Sequence, residues 1–285
     1  INEREEALLT GPVRPIVLLR LREGVSGPVA PSVAGDLREM CVMLPYTPLH
    51  HLLMHDVGRP LVMTSGNISD EPIATDNAEA LERLHGIVDA FLMHDRAIHS
   101  RYDDSVVRVV GDIVEQVRRA RGYAPFPLEL PFETDIDILA TGTEQKNTFT
   151  LLTGRHAFVS QHIGDMENAE TLDAYARTID LYEDLFRIDP KLVAYDLHPE
   201  YLSTKFAHGL NLPKTGVQHH HAHIVSVTAE HGVEEPVVGF AFDGTGFGED
   251  GTIWGGEVLL STWSSYERLA HLAVVPMPGG AAAVR

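Results

Sequence analysis

This chain is short of several residue types that would otherwise narrow its chemistry. Its 285 residues include one cysteine, Cys41. A lone thiol excludes a disulfide framework and any cysteine-rich zinc module within these residues, and it fits a reducing cytoplasm. Cys41 lies in the apolar stretch "EMCVMLPY", so a buried, inert thiol is expected there in place of a nucleophile. No apolar run reaches the roughly eighteen residues that a membrane-spanning helix needs, so no membrane partner is expected. Basic residues are scarce, with 22 Lys and Arg against 41 Asp and Glu and a formal charge of −19. Phosphate-backbone binding relies on clustered cations, so nucleic acid is not an expected partner. The chain opens on Ile1 and closes on the glycine-rich "PMPGGAAAVR". It is expected to be an internal segment of a longer protein.

Histidine, by contrast, is plentiful, at 16 residues. Four of them crowd the stretch "GVQHHHAHIVSVTAEHG", Gly216–Gly232. A purification tag would stand apart at a terminus, whereas Ile224, Val225, Val227 and Thr228 continue this segment at helical spacing. On a helix His219 and His223 share one face at i and i+4, close enough to hold one ion, while His220 and His221 point elsewhere. Two readings stay open: a metal-binding pair that needs a carboxylate to join it, or histidines that cap or line a core helix.

Two domains are expected, with the break in "RGYAPFPLELPFE", Arg121–Glu133, where three prolines and alternating apolar residues suggest an extended connector. The boundaries are set at 1–125, a linker at 126–136, and 137–285. Before the break, "VRPIVLLR" and "RPLVMTSGN" read as strands and "NAEALERLHGI" as a helix. "SVVRVVGDIVEQVRRA" reads as a strand pair turning at Gly111-Asp112, which makes a mixed α+β unit.

After the break, "DILATGT" reads as a strand entering a tight loop, followed by "NTFTLLT" paired with "HAFVSQH" across Gly154-Arg155. In "ETLDAYARTIDLYEDLFRID" the residues Leu172, Tyr175, Ala176, Ile179, Tyr182 and Phe186 keep helical steps of three and four. The strand "LVAYD", the helix "PEYLSTKFAHG", the strand "TGVQ" and the histidine helix follow. The resulting order, β-β-β-α-β-α-β-α, is that of a ribonuclease-H-like half. "VVGFAFDGTGFGEDGTIWGGEVLL" starts a second copy with a strand, a Gly-Thr loop and a strand. Duplicated halves of this kind make an α/β actin-like fold, whose paired loops grip nucleotide phosphates.

The loop residues suit that role. Gly142, Gly244 and Gly246 let backbone N–H groups approach phosphate oxygens, and Thr143 and Thr245 add hydroxyls. Lys146 is either a point charge for a phosphate or a solvated turn lysine. Asp243, at a strand end, is either the carboxylate that completes a two-histidine, one-carboxylate set or an ordinary turn aspartate.

These stretches resemble a known family. "DILATGTEQKNTFTLLTGRHAFVSQHIGDMENAETL", "DLHPEYLST", "QHHHAH" and "FDGTGFGEDGTIWGGE" are similar to signatures of the HypF carbamoyltransferases, which mature nickel-iron hydrogenases. "LPYTPLHHLL", "PLVMTSGNISDEPI", "AFLMHDRAIHSRYDDSVVR" and "RRARGYAP" resemble the YrdC-like domain of that family, so the likeness runs over nearly the whole chain. The resemblance implies an α+β YrdC-like domain followed by a TsaD-like, actin-like domain, each present in part. It implies that the first joins a carbamoyl group from carbamoyl phosphate to ATP, bound with magnesium. The second would then pass the group to the C-terminal cysteine of HypE.

By motif, Ser65, Asn67 and Ser69 match the nucleotide element of YrdC-like domains, and Arg101, Ser105 and Arg121 match polar groups of the same pocket. Arg121 is either a fork for phosphate or an exposed strand-end arginine. His219, His223 and Asp243 match the family's ligands for one divalent metal, iron or zinc. A fourth family ligand, an aspartate, lies outside these residues. Three alternatives differ from this reading: a threonylcarbamoyl-type tRNA-modifying enzyme, an O-carbamoyltransferase with the domains in the other order, and a non-enzymatic docking module for HypE.

Overall fold

The computed structural model describes residues 1–276 except 23, 25, 26, 28 and 70. The glycine-rich end, from residue 277, lies outside the described residues. The chain divides into two compact units, residues 1–126 with 159–164, and residues 127–158 with 165–285.

In the first unit, helix α1 (Glu3–Thr10) starts on a capping box, in which the Asn2 side chain accepts the Glu5 N–H and Glu5 accepts the Asn2 N–H. It packs on strand β1 (Ile16–Arg20), which pairs antiparallel with β2 (Glu39–Val42) and parallel with β3 (Val106–Val110). The expected turn at Gly111-Asp112 joins β3 to β4 (Ile113–Arg118), giving the sheet order β2-β1-β3-β4. Leu9, Val17 and Val107 form its core, with Leu8, Leu19, Val42, Leu44 and Tyr123 around them. Helix α2 (Pro48–Val57) has Thr47 as its N-cap, a proline in its first turn and Gly58 in the left-handed region at its end. Helix α3 (Asn77–Leu84) is capped by Asp76 and forms the expected helix as far as Leu84, three residues short of its expected end.

Two expectations fail here. "RPLVMTSGN" is irregular, with Val62 73% exposed. An apolar run becomes a strand only where a neighbour completes its ladder, and none of the described strands pairs with it. Cys41 is exposed, because β2 is an edge strand and its alternation turns that side chain outward.

In the second unit, β5 (Leu128–Ala140) pairs antiparallel with β6 (Thr150–Val159) and parallel with β7 (Leu192–Asp196), which pairs parallel with β8 (Lys214–Val217). Helix α4 (Ala169–Phe186) buries Tyr175, Ile179 and Tyr182, as its periodicity predicts. Phe149 sits edge-on to Tyr175 and Tyr182, and Tyr175 to Phe206, in an aromatic core. Helix α5 (Leu202–Gly209) separates β7 from β8, and α6 (His219–Glu230) follows β8. Then β9 (Val237–Phe247), β10 (Ile253–Ser261) and β11 (Tyr266–His271) form an antiparallel sheet. Ile224 of α6 packs against Ala241 and Leu259 of that sheet.

Three sequence expectations change. The stretch read as a linker is strand from Leu128 onward. Gly154-Arg155 is no turn: "TLLTGRHAFV" is one strand, with Gly154 at φ +54 beside a register irregularity. The first half therefore runs β-β-α-β-α-β-α. The second Gly-Thr stretch is also strand, since β9 extends to Phe247 and the turn falls at residues 248–252. Only the first, after Ala140, is a true loop.

In that loop Gly142 has φ +67, and a Cβ there would lie 2.1 Å from the Thr148 carbonyl oxygen. Gly251 has φ +73 with open space around it. Gly251→Ala is expected to cost only the left-handed conformation, about 1–2 kcal/mol. Gly142→Ala adds a backbone collision and should melt at least roughly 2 °C lower than Gly251→Ala. Equal midpoints in a thermal scan would contradict this account of the loop.

Candidate metal centre

Gln218 caps α6, its side chain accepting the His221 N–H at 2.9 Å, so the helix begins at His219 and its i, i+4 face carries His219 and His223. Their Nε2 atoms lie 3.1 Å apart. Asp243 of β9 brings Oδ2 to 2.5 Å from His219 Nε2 and 3.5 Å from His223 Nε2. Donors about 2.0–2.2 Å from a tetrahedral ion stand roughly 3.4 Å apart; the 3.1 and 3.5 Å spacings are close to that, and Asp243 would swing about 0.9 Å away from His219 to admit a divalent ion. Two imidazoles and a carboxylate suit iron or zinc better than magnesium or calcium. Among the described residues these three form the single His, Cys, Asp or Glu cluster of metal-binding geometry.

His220 and His221 do point elsewhere. His220 is fully buried and directs Nε2 to the Gly255 carbonyl at 3.2 Å, and burial holds its pKa below the ordinary value. His221 directs Nε2 to the Thr262 carbonyl at 2.9 Å. The second reading of the histidine stretch, rings that line a core helix, thus holds for these two.

The sequence reasoning missed Asp196. It ends β7, is buried, and shares a hydrogen bond with His219 Nδ1 at 2.6 Å. The signal that could have found it is an acidic residue at the carboxyl end of a parallel strand, where open α/β sheets gather ligands. Burial lowers the His219 pKa, but the Asp196 hydrogen bond and the charges of Asp196 and Asp243 outweigh it and leave it raised. Burial would raise the Asp243 carboxyl, yet the His219 charge, the Gly244 N–H and His223 bring it below the usual carboxylate range.

The loop residues converge on the start of α5. Thr245 hydrogen-bonds the side chain of Tyr201, which also feels Asp243, Asp196 and Glu144. Glu144 accepts the Leu202 N–H at 2.8 Å, and burial is the main cause of its raised pKa. The carbonyls of Gly142 and Thr143 are engaged by Ser203 and Asn147. Lys146 is exposed at φ +47, and its N–H donates to Asp165 at 2.6 Å. Gly244 is exposed. Gly246 is buried against α6, and a Cβ there would sit 2.4 Å from the His220 ring, so its missing side chain lets the histidine helix approach β9.

The first unit holds the other candidates. The Ser105 hydroxyl, fully buried, donates to the Arg121 carbonyl and accepts the Ala120 N–H. The Arg121 guanidinium donates to Asp104 and to the Val13 and Arg14 carbonyls and lies 3.4 Å over the Tyr46 ring. It is neither an exposed arginine nor an open fork in this arrangement. Asn67 donates to the Glu71 carbonyl, Arg83 bridges Glu71 and Glu79, and Arg101 donates to the Ile73 carbonyl beside Glu79. Ser65 and Ser69 are exposed.

Comparison with known proteins identifies the domains that carry these residues. Residues 1–120 match the YrdC-type family described as "Telomere recombination". Residues 133–230 match "HypF Kae1-like domain", and residues 239–285 match "Carbamoyltransferase, Kae1-like Domain, second subdomain". The fold is therefore a YrdC-like domain followed by a Kae1-like, actin-like domain. The chain is 49% identical over its whole length to carbamoyltransferase HypF2 of Cupriavidus necator, covering 38% of that protein. It is 45% identical, again over its whole length, to carbamoyltransferase HypF of Synechocystis, covering 37% of it. A crystal structure of full-length HypF in the phosphate- and nucleotide-bound form matches 95% of this chain and 43% of its own, at 50% identity and a TM-score of 0.90. The structure of T. kodakarensis HypF matches 99% of this chain and 37% of its own, at 40% identity and a TM-score of 0.90. The chain belongs to the HypF carbamoyltransferase family and spans under two fifths of the length of these curated relatives. No helix among the described residues is long and apolar enough to cross a membrane.

The triad geometry predicts that His219→Ala, His223→Ala and Asp243→Ala each lower bound iron or zinc per chain, by elemental analysis, well below the parent. His220→Ala should destabilise the fold, since it empties a fully buried site, and keep the metal. Equal metal content in all four variants would mean that the ion is held elsewhere.

Proposed function

We propose that this chain carries the adenylating and transferring parts of a carbamoyltransferase that serves nickel-iron hydrogenase maturation. The YrdC-like unit holds its nucleotide with Ser65, Asn67, Ser69 and Arg101, while Ser105 and Arg121, bonded within the protein, shape the wall beside it; carbamate, left when carbamoyl phosphate gives up its phosphate, bonds through an oxygen to the α-phosphorus of magnesium-bound ATP. Pyrophosphate leaves and carbamoyl adenylate forms. The Kae1-like unit presents the adenylate to the C-terminal cysteine of HypE, whose sulfur bonds to the carbamoyl carbon as AMP departs. The cytoplasm suits a thiol acceptor.

The observation that carries this reading is the triad, set where β9, with Asp243 inside it, passes the start of the histidine helix. A divalent ion held by His219, His223 and Asp243 would supply Lewis-acid stabilisation of developing negative charge. The residues themselves supply placement. Gly142, Thr143, Lys146, Gly244 and Thr245 frame the phosphate side, Gly246 lets the histidine helix close on β9 behind them, and the Tyr201 contact to Thr245 ties α5 to β9 beside Asp243. Mixed anhydrides carry a good leaving group, so the acceptor thiolate needs positioning more than activation.

In a full-length protein containing this segment, Asn67→Ala is expected to abolish carbamoyl-dependent exchange of pyrophosphate into ATP. His219→Ala should retain that exchange and lose transfer to a peptide of the HypE tail. Exchange that survives Asn67→Ala removes the first assignment, and transfer that survives His219→Ala removes the second.

A further inference from the structure

The inner side of His219 is as well defined as the side that faces the triad. Asp196 places Oδ2 2.6 Å from His219 Nδ1, and its Oδ1 accepts the His198 backbone N–H at 2.8 Å. The carboxylate side chain is 5% exposed and the imidazole 10%. A buried carboxylate is tolerated only when its lone pairs are met by donors. Both oxygens of Asp196 meet one, and an ionised carboxylate can only accept. The proton between Asp196 and His219 therefore sits on Nδ1. The other ring nitrogen, Nε2, is the atom that lies 2.5 Å from Asp243 and 3.1 Å from His223.

We infer that Asp196 is a positioning residue that fixes His219 as the Nδ1–H tautomer and so presents the Nε2 lone pair, on the Asp243 and His223 side, as the metal's donor. The inference rests on the triad being a metal site, as proposed above. Three features make Asp196 suited to the task. It lies at the end of β7, 23 residues before the histidine it orients. Its backbone is fixed, because the Thr204 hydroxyl donates to its carbonyl at 2.9 Å inside the core. One oxygen is held by the loop that follows β7 and the other faces α6, so its rotamer cannot change without breaking both bonds.

Asparagine at this position has one carbonyl oxygen for two N–H donors. Whichever donor it serves, its amide NH₂ faces the other. If that NH₂ faces His219, it favours the Nδ1 lone pair and places the proton on Nε2, which blocks ligation. The substitution keeps shape and volume while reversing the information given to the ring.

The test uses Co(II) as the probe with the 285-residue chain, together with long-range proton-nitrogen NMR of the histidine rings in metal-free protein at about pH 9, above the usual range of histidine ionisation. The parent should show His219 as the Nδ1–H tautomer and bind Co(II) with a change in its visible absorption spectrum. Asp196→Asn should shift His219 toward Nε2–H and weaken Co(II) binding by roughly 10- to 100-fold. Thr204→Val, which loosens the same strand end without altering the carboxylate, should leave Co(II) affinity within about twofold of the parent, far from a loss of that size. An Nε2–H tautomer in the parent overturns the inference without any variant. So does parental Co(II) affinity in Asp196→Asn. If His219→Ala binds Co(II) as the parent does, the metal reading of the triad fails instead, and the tautomer result still reports on Asp196 separately.

Discussion

Both nitrogens of one imidazole face a carboxylate, and the second unit is arranged around that fact. His219 lies between Asp196 of the four-stranded sheet and Asp243 of the three-stranded sheet, at 2.6 and 2.5 Å. Bringing acidic groups together out of water is costly unless donors or cations meet them. The fold meets the cost by ending β7 and starting α6 at the same place, with β9 passing alongside. Gly246 is part of that arrangement, because any side chain there would push the helix from the strand. The Gln218 cap is another, since it sets where the helix begins and hence which histidines share a face.

The electrostatics follow from the same crowding. Asp196, Asp243 and Glu144 all act on Tyr201 at the start of α5, and the chain as a whole carries a formal charge of −19. Such a site attracts cations and repels bare phosphates. A nucleotide approaching it needs its own magnesium and the local N–H groups of the loops to offset that repulsion. The Glu144 carboxyl is raised chiefly by burial, with smaller contributions from the neighbouring carboxylates Glu167 and Asp165.

Much of this was legible in the sequence, for reasons that can be stated residue by residue. His219 and His223 follow the helical period, which needs no tertiary knowledge, and Asp243 ends an apolar run beside glycines. The face of α4 was readable in the same way. Period-two patterning carries less information, because one long bulged strand and a hairpin give the same alternation. That is why Gly154 looked like a turn and is strand. The stretch around Val62 has strand-like residues but no neighbour in its sheet, and pairing is a property of distant residues. Cys41 has apolar neighbours in sequence, but an edge strand decides its exposure. Asp196 was hidden because its meaning lies in a contact with a ring 23 residues away. Likewise the engagement of Ser105 and Arg121 with backbone groups depends on a tertiary arrangement that motifs do not specify.

The central claim is that His219, His223 and Asp243 hold one ion. It is tested most directly by crystals of the metal-loaded protein, with anomalous diffraction measured on both sides of the absorption edge of the bound metal. The account predicts one anomalous peak about 2.0–2.2 Å from His219 Nε2, His223 Nε2 and an Asp243 oxygen, with Asp196 still on Nδ1 and outside bonding range of the ion. A peak centred on other residues, or none at the triad in protein shown to contain metal, would contradict it.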